Sequence, residues 1–287
     1  MKTWFISTKH LENGLWFKDD DDFRKGMNGV AVLVAAMHIS ILAFILMSNH
    51  VHFVLACSRN EAEDFISRFK CAYSRYLQKK YGVKEFLRGN EVCISEVETY
   101  QESLERVIAY VQMNCVVSNI CQSPILYPWG TGRSFFDATS QNGTRIGDIS
   151  NNKRFVMLRS KTIIPGDWLI KDGYIVPESY VRVRYVESLF KTPKRYLFFL
   201  NNSAKAKKRS EMGENSGPSF KDQSILAALP DLCKSLFQKS SVKELDEAQK
   251  GEFLRQIRYR FSANVHQIAR VTGLSYAESA RLLNTFS

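Results

Sequence analysis

The chain has 287 residues, 45% of them hydrophobic, and carries 40 Lys and Arg against 29 Asp and Glu, for a formal net charge of +11. That length holds two domains, or one with an appendage, and with no run near ~18 uninterrupted apolar residues and no signal-peptide pattern at Met1-Lys2-Thr3-Trp4-Phe5, a membrane protein is not expected. The six cysteines, Cys57, Cys71, Cys93, Cys115, Cys121 and Cys233, show no CxxC pairing, so neither a zinc site nor a disulfide framework is indicated and reduced thiols in a cytoplasmic protein fit best.

In chain order, residues 3–10 read as a strand and residues 19–36 as a helix entered through acidic residues that suit its N-terminus. Residues 38–47 and 50–57 read as two strands joined by a tight Ser48-Asn49 turn. The second of these strands begins His50-Val51-His52. A strand sends residues i and i+2 to the same face, so both imidazoles project together while Val51, Phe53 and Leu55 point into a core. Two histidines so placed make a preorganised metal-binding edge. An HxH also arises by chance in strands, but two of only five histidines fall here, which favours a ligand pair.

Residues 60–81 read as a helix ended by Gly82. On or just after it, Arg68, Lys70, Arg75, Lys79, Lys80, Lys84 and Arg88 interleave with Phe69, Tyr73 and Tyr76. Basic and aromatic surface is what single-stranded DNA binding uses; a solvated helix face over core aromatics explains the pattern equally well. Residues 91–98 read as a short strand. Residues 99–114 read as an amphipathic helix, with Thr99 and Glu102 as a capping box and Leu104, Val107, Ile108 and Val111 as its apolar stripe. Tyr110 and Asn114 share a face at i and i+4, where a phenol and a carboxamide oxygen can supply a nucleophile and a third metal ligand. Such a tyrosine alone is usually a half-buried core residue; its combination with the HxH strand is what singles it out. The order βαββαβ plus a final helix is ferredoxin-like, and the expected fold class is α+β.

Met47-Ser48-Asn49-His50-Val51-His52-Phe53-Val54-Leu55 resembles the HUH strand (His, hydrophobic, His) of single-tyrosine transposases, the IS200-like group. Ala109-Tyr110-Val111-Gln112-Met113-Asn114-Cys115-Val116 resembles their tyrosine helix. Within that group the chain is most similar to the REP-associated tyrosine transposases, whose helix typically reads Tyr-Ile-x-x-Asn-Pro-Val and is commonly followed by Tyr-Pro-Trp, here Tyr127-Pro128-Trp129. The resemblance spans residues 1–136 as a catalytic domain and implies the same ferredoxin-like fold. Cys115 stands where the family usually has proline, which bears on the end of the helix more than on chemistry. The resemblance further implies that His50, His52 and Asn114 hold Mg2+ or Mn2+, polarising the scissile phosphate. Tyr110 then attacks the phosphorus and leaves a 5′-phosphotyrosine and a free 3′-hydroxyl. Imidazole is less typical of magnesium than of manganese or zinc, so ligand type leaves the ion open. The expected function is metal-dependent nicking and strand transfer of single-stranded DNA, as in DNA transposition. A phenol with a pKa of ~10 needs help to ionise, and the sequence offers no evident base.

Residues 1–140 hold fifteen basic and fifteen acidic side chains, so the whole positive excess lies in residues 141–287. Affinity for phosphates is therefore expected downstream of the catalytic residues. Residues 137–219 read as a basic connecting region, with turn-bounded segments at 163–168 and 172–177, a helix at 181–190, four basic residues within 201–209 and a linker-like run at 213–218. Residues 220–287 read as a small helical domain. Helices at 252–261, 264–272 and 276–286, the last two separated by Gly273-Leu274-Ser275, resemble a helix-turn-helix. This reading places Arg258, Arg260 and Arg281 among the DNA contacts, beside Arg68, Lys70, Tyr73, Arg75, Lys79 and Lys80. The last helix is poor in base-reading side chains, so packing or oligomerisation, as in a homodimer, competes with DNA binding. The partner expected is single-stranded or hairpin DNA, with no membrane. The alternative function is a catalytically silent or domesticated regulator that binds DNA hairpins, against which the intact His50, His52, Tyr110 and Asn114 argue. A histidine-triad hydrolase would need a further histidine where Val54 stands.

Overall fold

β1 (Lys2–Thr8), β2 (Ser40–Met47), β3 (His50–Cys57) and β4 (Val92–Val97) form an antiparallel sheet in the order β2-β3-β1-β4. The protein is described from a computed structural model covering residues 2–11, 15–84, 87–98, 102–118, 120–137, 142–203 and 220–285. α1 (Asp20–Met37) connects β1 to β2, and α2 (Arg59–Tyr81) connects β3 to β4. The start of α1 is fixed by Asp19, whose carboxylate accepts the Asp22 N–H, with Asp20, Asp21 and Asp22 at the positive end of the helix. α2 opens with a Ser58–Glu61 capping box and closes at Gly82, whose φ of +72° is the left-handed conformation that glycine adopts most cheaply.

β2 and β3 are apolar almost throughout because both faces of the sheet are covered. On one face Phe53 packs edge-on against Phe65 and Phe69 of α2. His52, the next residue back, faces the other way, toward α3 (Ser103–Gln112). After Met113 the helix restarts as a single turn, α4 (Asn114–Val117). Cys115 falls inside that first turn, where a proline would sacrifice little because early helical N–H groups have no intrahelical partner. The tyrosine helix, expected from residue 99, starts at Ser103. Glu102 is itself the residue before the helix, at φ +63°, and makes no side-chain cap bond. Its carboxylate is taken by Arg106 and Arg195 instead. Thr99 lies outside the described residues.

The Tyr-Pro-Trp segment closes the outer edge of β2. The Leu46 N–H donates to Trp129 O at 2.8 Å and the Tyr127 hydroxyl to Leu46 O at 2.7 Å, and Gly130 bridges to Ile45. A Cβ at Gly130 would lie 2.7 Å from Phe44 O, so the close backbone approach requires glycine.

The expected connecting region, in its described part up to Ser203, is instead built onto the same core. β5 (Thr144–Arg145), β6 (Leu169–Lys171) and β7 (Tyr174–Ile175) make a small antiparallel sheet, accompanied by α5 (Asn151–Leu158), α6 (Val183–Phe190) and α7 (Pro193–Asn201). Ile146, Ile175, Val186, Phe190, Tyr196 and Leu200 are buried in the core that contains β1–β4. Asn28 of α1 ties the small sheet down, its amide donating to Gly173 O and its side-chain carbonyl accepting from the Ile175 N–H, both at 3.0 Å. The basic run at 201–209 is described only to Ser203, and the linker-like run at 213–218 lies outside the described residues.

A second hydrophobic cluster, including Ile225, Phe253, Leu254, Ile257, Ile268 and Leu282, is assembled by α8 (Asp222–Phe237), α9 (Glu247–Phe261), α10 (Val265–Thr272) and α11 (Tyr276–Thr285). At its polar centre the buried Asp222 carboxylate accepts from Arg270 at 3.0 Å and Gln267 at 2.8 Å. α10 ends at Gly273, φ +75°, and the Ser275 hydroxyl accepts the Glu278 N–H to start α11. Gln223 of α8 donates to Phe17 O at 3.1 Å, a contact with the first core. The fold class is therefore α+β with a helical C-terminal region. Among the described residues, no helix is long and apolar enough to cross a membrane.

Candidate active site

The strand alternation of β3 delivers both imidazoles to the α3 face of the sheet. His50 and His52 are 2% and 4% exposed, with ring centroids 4.8 Å apart and planes nearly perpendicular. Tyr110 approaches from α3, its ring edge-on to His52 at 6.1 Å and to Phe5 of β1 at 5.9 Å. Phe5 in turn stacks on His52 at 5.6 Å. His50, His52 and Tyr110 thus come together. Asn114 follows Tyr110 by one turn, buried, with its amide donating to Tyr110 O at 3.0 Å and Val111 O at 3.1 Å. Those bonds use the nitrogen, so the carboxamide oxygen is the atom with acceptor capacity to offer elsewhere.

Burial raises the Tyr110 pKa above that of an ordinary phenol, so the desolvation that shapes the site also opposes the ionised nucleophile. Two neutral imidazoles and a carboxamide oxygen fit a divalent transition ion such as Mn2+ by donor type, and Mg2+ less well. Among the described residues, no group of three His, Cys, Asp or Glu side chains is arranged to hold a metal.

Several positioning residues were not evident from the sequence. Asn49 Oδ1 lies 2.9 Å from His50 Nδ1. A carboxamide oxygen only accepts, so this bond puts the proton on Nδ1 and makes Nε2 the nitrogen whose lone pair a metal can take. The Asn49 amide donates to Leu11 O and its backbone carbonyl accepts the Leu11 N–H, both at 3.1 Å. That clasp brings the segment after β1 against the β2–β3 turn, where His10 stacks on His50 at 3.8 Å. On the helix side, the fully buried Gln112 donates to the Thr131 hydroxyl at 2.6 Å, and Thr131 is bonded to the Phe44 backbone. α3 is thereby fastened to the β2 edge two residues beyond Tyr110. In the sequence Asn49 read only as part of the Ser48-Asn49 turn, and nothing marked His10 or Thr131.

The basic residues assigned to DNA are dispersed. α2 lies on the opposite face of the sheet from Tyr110, so Arg68, Lys70, Arg75 and Lys79 are not beside the histidines. Lys70 and Arg75 line a groove of about 550 Å³ between α2 and β4, and Lys70 also donates to Asn90 O. Arg68 pairs with Asp64 at 2.8 Å in the open, an interaction of ~0–1 kcal/mol that a phosphate can replace. Lys80 is different: it binds Asp19 at 2.6 Å and the fully buried Asp22 carboxylate at 2.8 Å. Releasing a buried partner of this kind costs ~3–5 kcal/mol, which removes Lys80 from the list of phosphate contacts. Tyr73 is also corrected. It is 3% exposed, with its hydroxyl bonded to Trp16 O at 2.8 Å, so it has no ring face for a base. In the C-terminal unit, Arg258 and Arg260 are exposed on either side of Tyr259, itself 87% exposed, whereas Arg281 joins α11 to α9 through Glu247.

With this geometry in hand, comparison with known proteins is informative for one segment. Residues 19–114 match the family "Transposase IS200 like". The matched segment opens at the α1 N-cap and ends at Asn114, so it contains the HxH strand and Tyr110. Over that segment the chain thus resembles the IS200-like transposases. No curated protein sequence matches it. Among solved structures, a REP-associated tyrosine transposase bound to a REP hairpin is similar at 12% identity and a TM-score of 0.37. The likeness covers 59% of this chain and 86% of that one.

Proposed function

We propose that the protein nicks single-stranded DNA and transfers the cut strand through a 5′-phosphotyrosine on Tyr110. The observation that carries this reading is that His52 meets both His50 and Tyr110 on one sheet face, within the segment that resembles IS200-like transposases. The strand order β2-β3-β1-β4 with helices in the two crossovers supports the ferredoxin-like variant of the α+β class.

In the proposed reaction the Tyr110 hydroxyl oxygen attacks the scissile phosphorus. The P–Oη bond forms, the bond to the 3′-oxygen breaks, and the phenolic proton is lost while the departing 3′-oxygen acquires one. A divalent ion on His50 and His52, with Asn114 as third ligand, would offset charge on the phosphoryl oxygens. Asn49 holds His50 in the tautomer that binds through Nε2, and Gln112 with Thr131 holds α3 at the distance from which Tyr110 can reach a phosphate. Rejoining reverses the exchange, with a free 3′-hydroxyl displacing the tyrosine, so the energy of the phosphoester is conserved and no nucleotide is consumed.

For the division of labour, residues up to about Ser203 form the catalytic unit, since they share one core, and residues 220–285 form a DNA-binding unit of the helix-turn-helix kind. Exposed Arg258, Tyr259 and Arg260 supply phosphate and stacking contacts there. The test uses hairpin oligonucleotides with single-stranded flanks, labelled at either end and incubated with Mn2+ or Mg2+. On a denaturing gel the 3′-labelled fragment should stay with the protein and the 5′-labelled fragment should run free. Hairpin binding without any adduct would favour the silent regulator instead.

A further inference from the structure

We infer that a cavity beside Tyr110 receives an unpaired nucleobase of the strand being cut, an assignment that rests on the proposed nicking function. The cavity, about 450 Å³, lies between β1, α3 and α7 and is lined by Phe5, Arg106, Tyr110, Phe198, Phe199 and Asn202 among others. Its size falls in the ~300–1,000 Å³ range of small-ligand pockets. Two of its walls come from α7, which lies beyond the segment that resembles IS200-like transposases.

The lining selects the occupant. Phe198 is 61% exposed at the cavity and meets Phe199 edge-on at 5.9 Å. The guanidinium groups of Arg106 and Arg195 lie 5.7 and 5.1 Å from the Phe199 ring. Both are paired with Glu102, and Arg195 also approaches Glu105 at 3.9 Å, so the local charge is balanced. A phosphate gains little from a neutralised cluster, whereas a flat uncharged ring gains from aromatic and guanidinium planes. Asn202 donates its amide to Phe198 O at 2.9 Å, which leaves its carboxamide oxygen as an acceptor at the rim for a base edge. Because Tyr110 itself forms part of the wall, a base held here belongs to a nucleotide adjoining the scissile phosphate. Seating that base would register the phosphate against the nucleophile.

Phe198→Ala is the discriminating variant, since an exposed ring can be removed without opening the core. The probe is an oligothymidylate carrying one 2-aminopurine, placed at successive positions along the strand and titrated with the full-length protein. Stacking should quench the fluorophore on binding, and Tyr110→Phe should keep the quench. Phe198→Ala should lose it and bind roughly 5- to 150-fold more weakly, the range that corresponds to ~1–3 kcal/mol per stacked base. An abasic residue in place of the quenched position should weaken the unmutated protein to the same degree and leave Phe198→Ala unaffected. Equal affinity and equal quenching in Phe198→Ala and the unmutated protein would overturn the base pocket while leaving the nicking reaction standing. No binding of single-stranded DNA by the unmutated protein would overturn both.

Discussion

At the scale of residues, the proposed chemistry rests on a few side chains whose neighbours set their state. The HxH pair and Tyr110 were legible because strand and helix periodicities fix which side chains share a face, and those periodicities are local. The supports were less so: Asn49 meets His50 through a turn, and Thr131 reaches Gln112 from the far side of β2. Tyr73 misled because an aromatic residue on a basic helix reads the same whether its ring faces solvent or the core. Replacing His50 and His52 together by alanine should abolish Mn2+ binding in isothermal titration along with cleavage, and retained Mn2+ affinity would place the metal elsewhere. Asn49→Ala keeps both imidazoles but frees the His50 tautomer. It should weaken Mn2+ binding by ~10–100-fold, the usual effect of losing an outer partner. Unchanged affinity would mean that the Asn49 side chain has no part in presenting Nε2.

Elements show a different limit. β1 to β4 with α1 and α2 followed from the sequence within a few residues, since each carries its own pattern and boundary signals, such as Asp19 before α1 and Gly82 after α2. β5, β6 and β7 did not, because strands of two or three residues have no periodicity and exist only through pairing with each other and packing on α1. α8 was hidden by Pro230 within it, a residue that ordinarily argues against a helix. Gly130→Ala tests whether the Tyr-Pro-Trp clip matters for α3. Its Cβ would collide with Phe44 O, so the β2 edge should loosen, with a lower melting temperature and faster amide exchange at Leu46. Unaltered exchange there would show that the edge accommodates the methyl group. At the start of α1, burial alone would raise the Asp19 pKa, but bonds from Lys80, the Asp22 N–H and Tyr81 more than offset it, and the pKa is lowered. The stabilisation is therefore present above the unfolded-state pKa of ~3.9 and is lost as pH falls through the lower folded value. Asp19→Asn should melt below the unmutated protein at neutral pH, and the gap should close on acidification below pH ~4. A gap that persists in acid would rule out the ion pair as its source.

For the whole molecule, the excess charge and the proposed site are separated along the chain. Residues 1–140 are neutral in sum, and the excess lies beyond them; the sequence made that division plain, but not where the core ends. The described part of the connecting region closes over the first sheet up to Leu200, so removal of everything after residue 140 would strip buried surface from the first core. A cut before residue 220 respects both hydrophobic clusters. Residues 1–219 should still form the covalent adduct at high DNA concentration but bind more weakly. The log–log salt dependence should fall by ~0.7 to 0.9 for each phosphate that is no longer neutralised by the protein. Arg258→Ser with Arg260→Ser should reproduce part of that change in the full chain. Identical salt slopes for 1–219 and the full chain would assign α8–α11 to packing or self-association instead.

Everything proposed for this site requires that Tyr110 become joined to DNA. That bond can be read by mass spectrometry of the adduct after nuclease trimming and tryptic digestion, in which residues 107–133 form one peptide carrying both Tyr110 and Tyr127. A nucleotide 5′-phosphate should appear on that peptide, assigned by its fragments to Tyr110 and missing from Tyr110→Phe. A nucleotide on Tyr127 or on any other residue, or an adduct that survives Tyr110→Phe, would refute Tyr110 as the nucleophile.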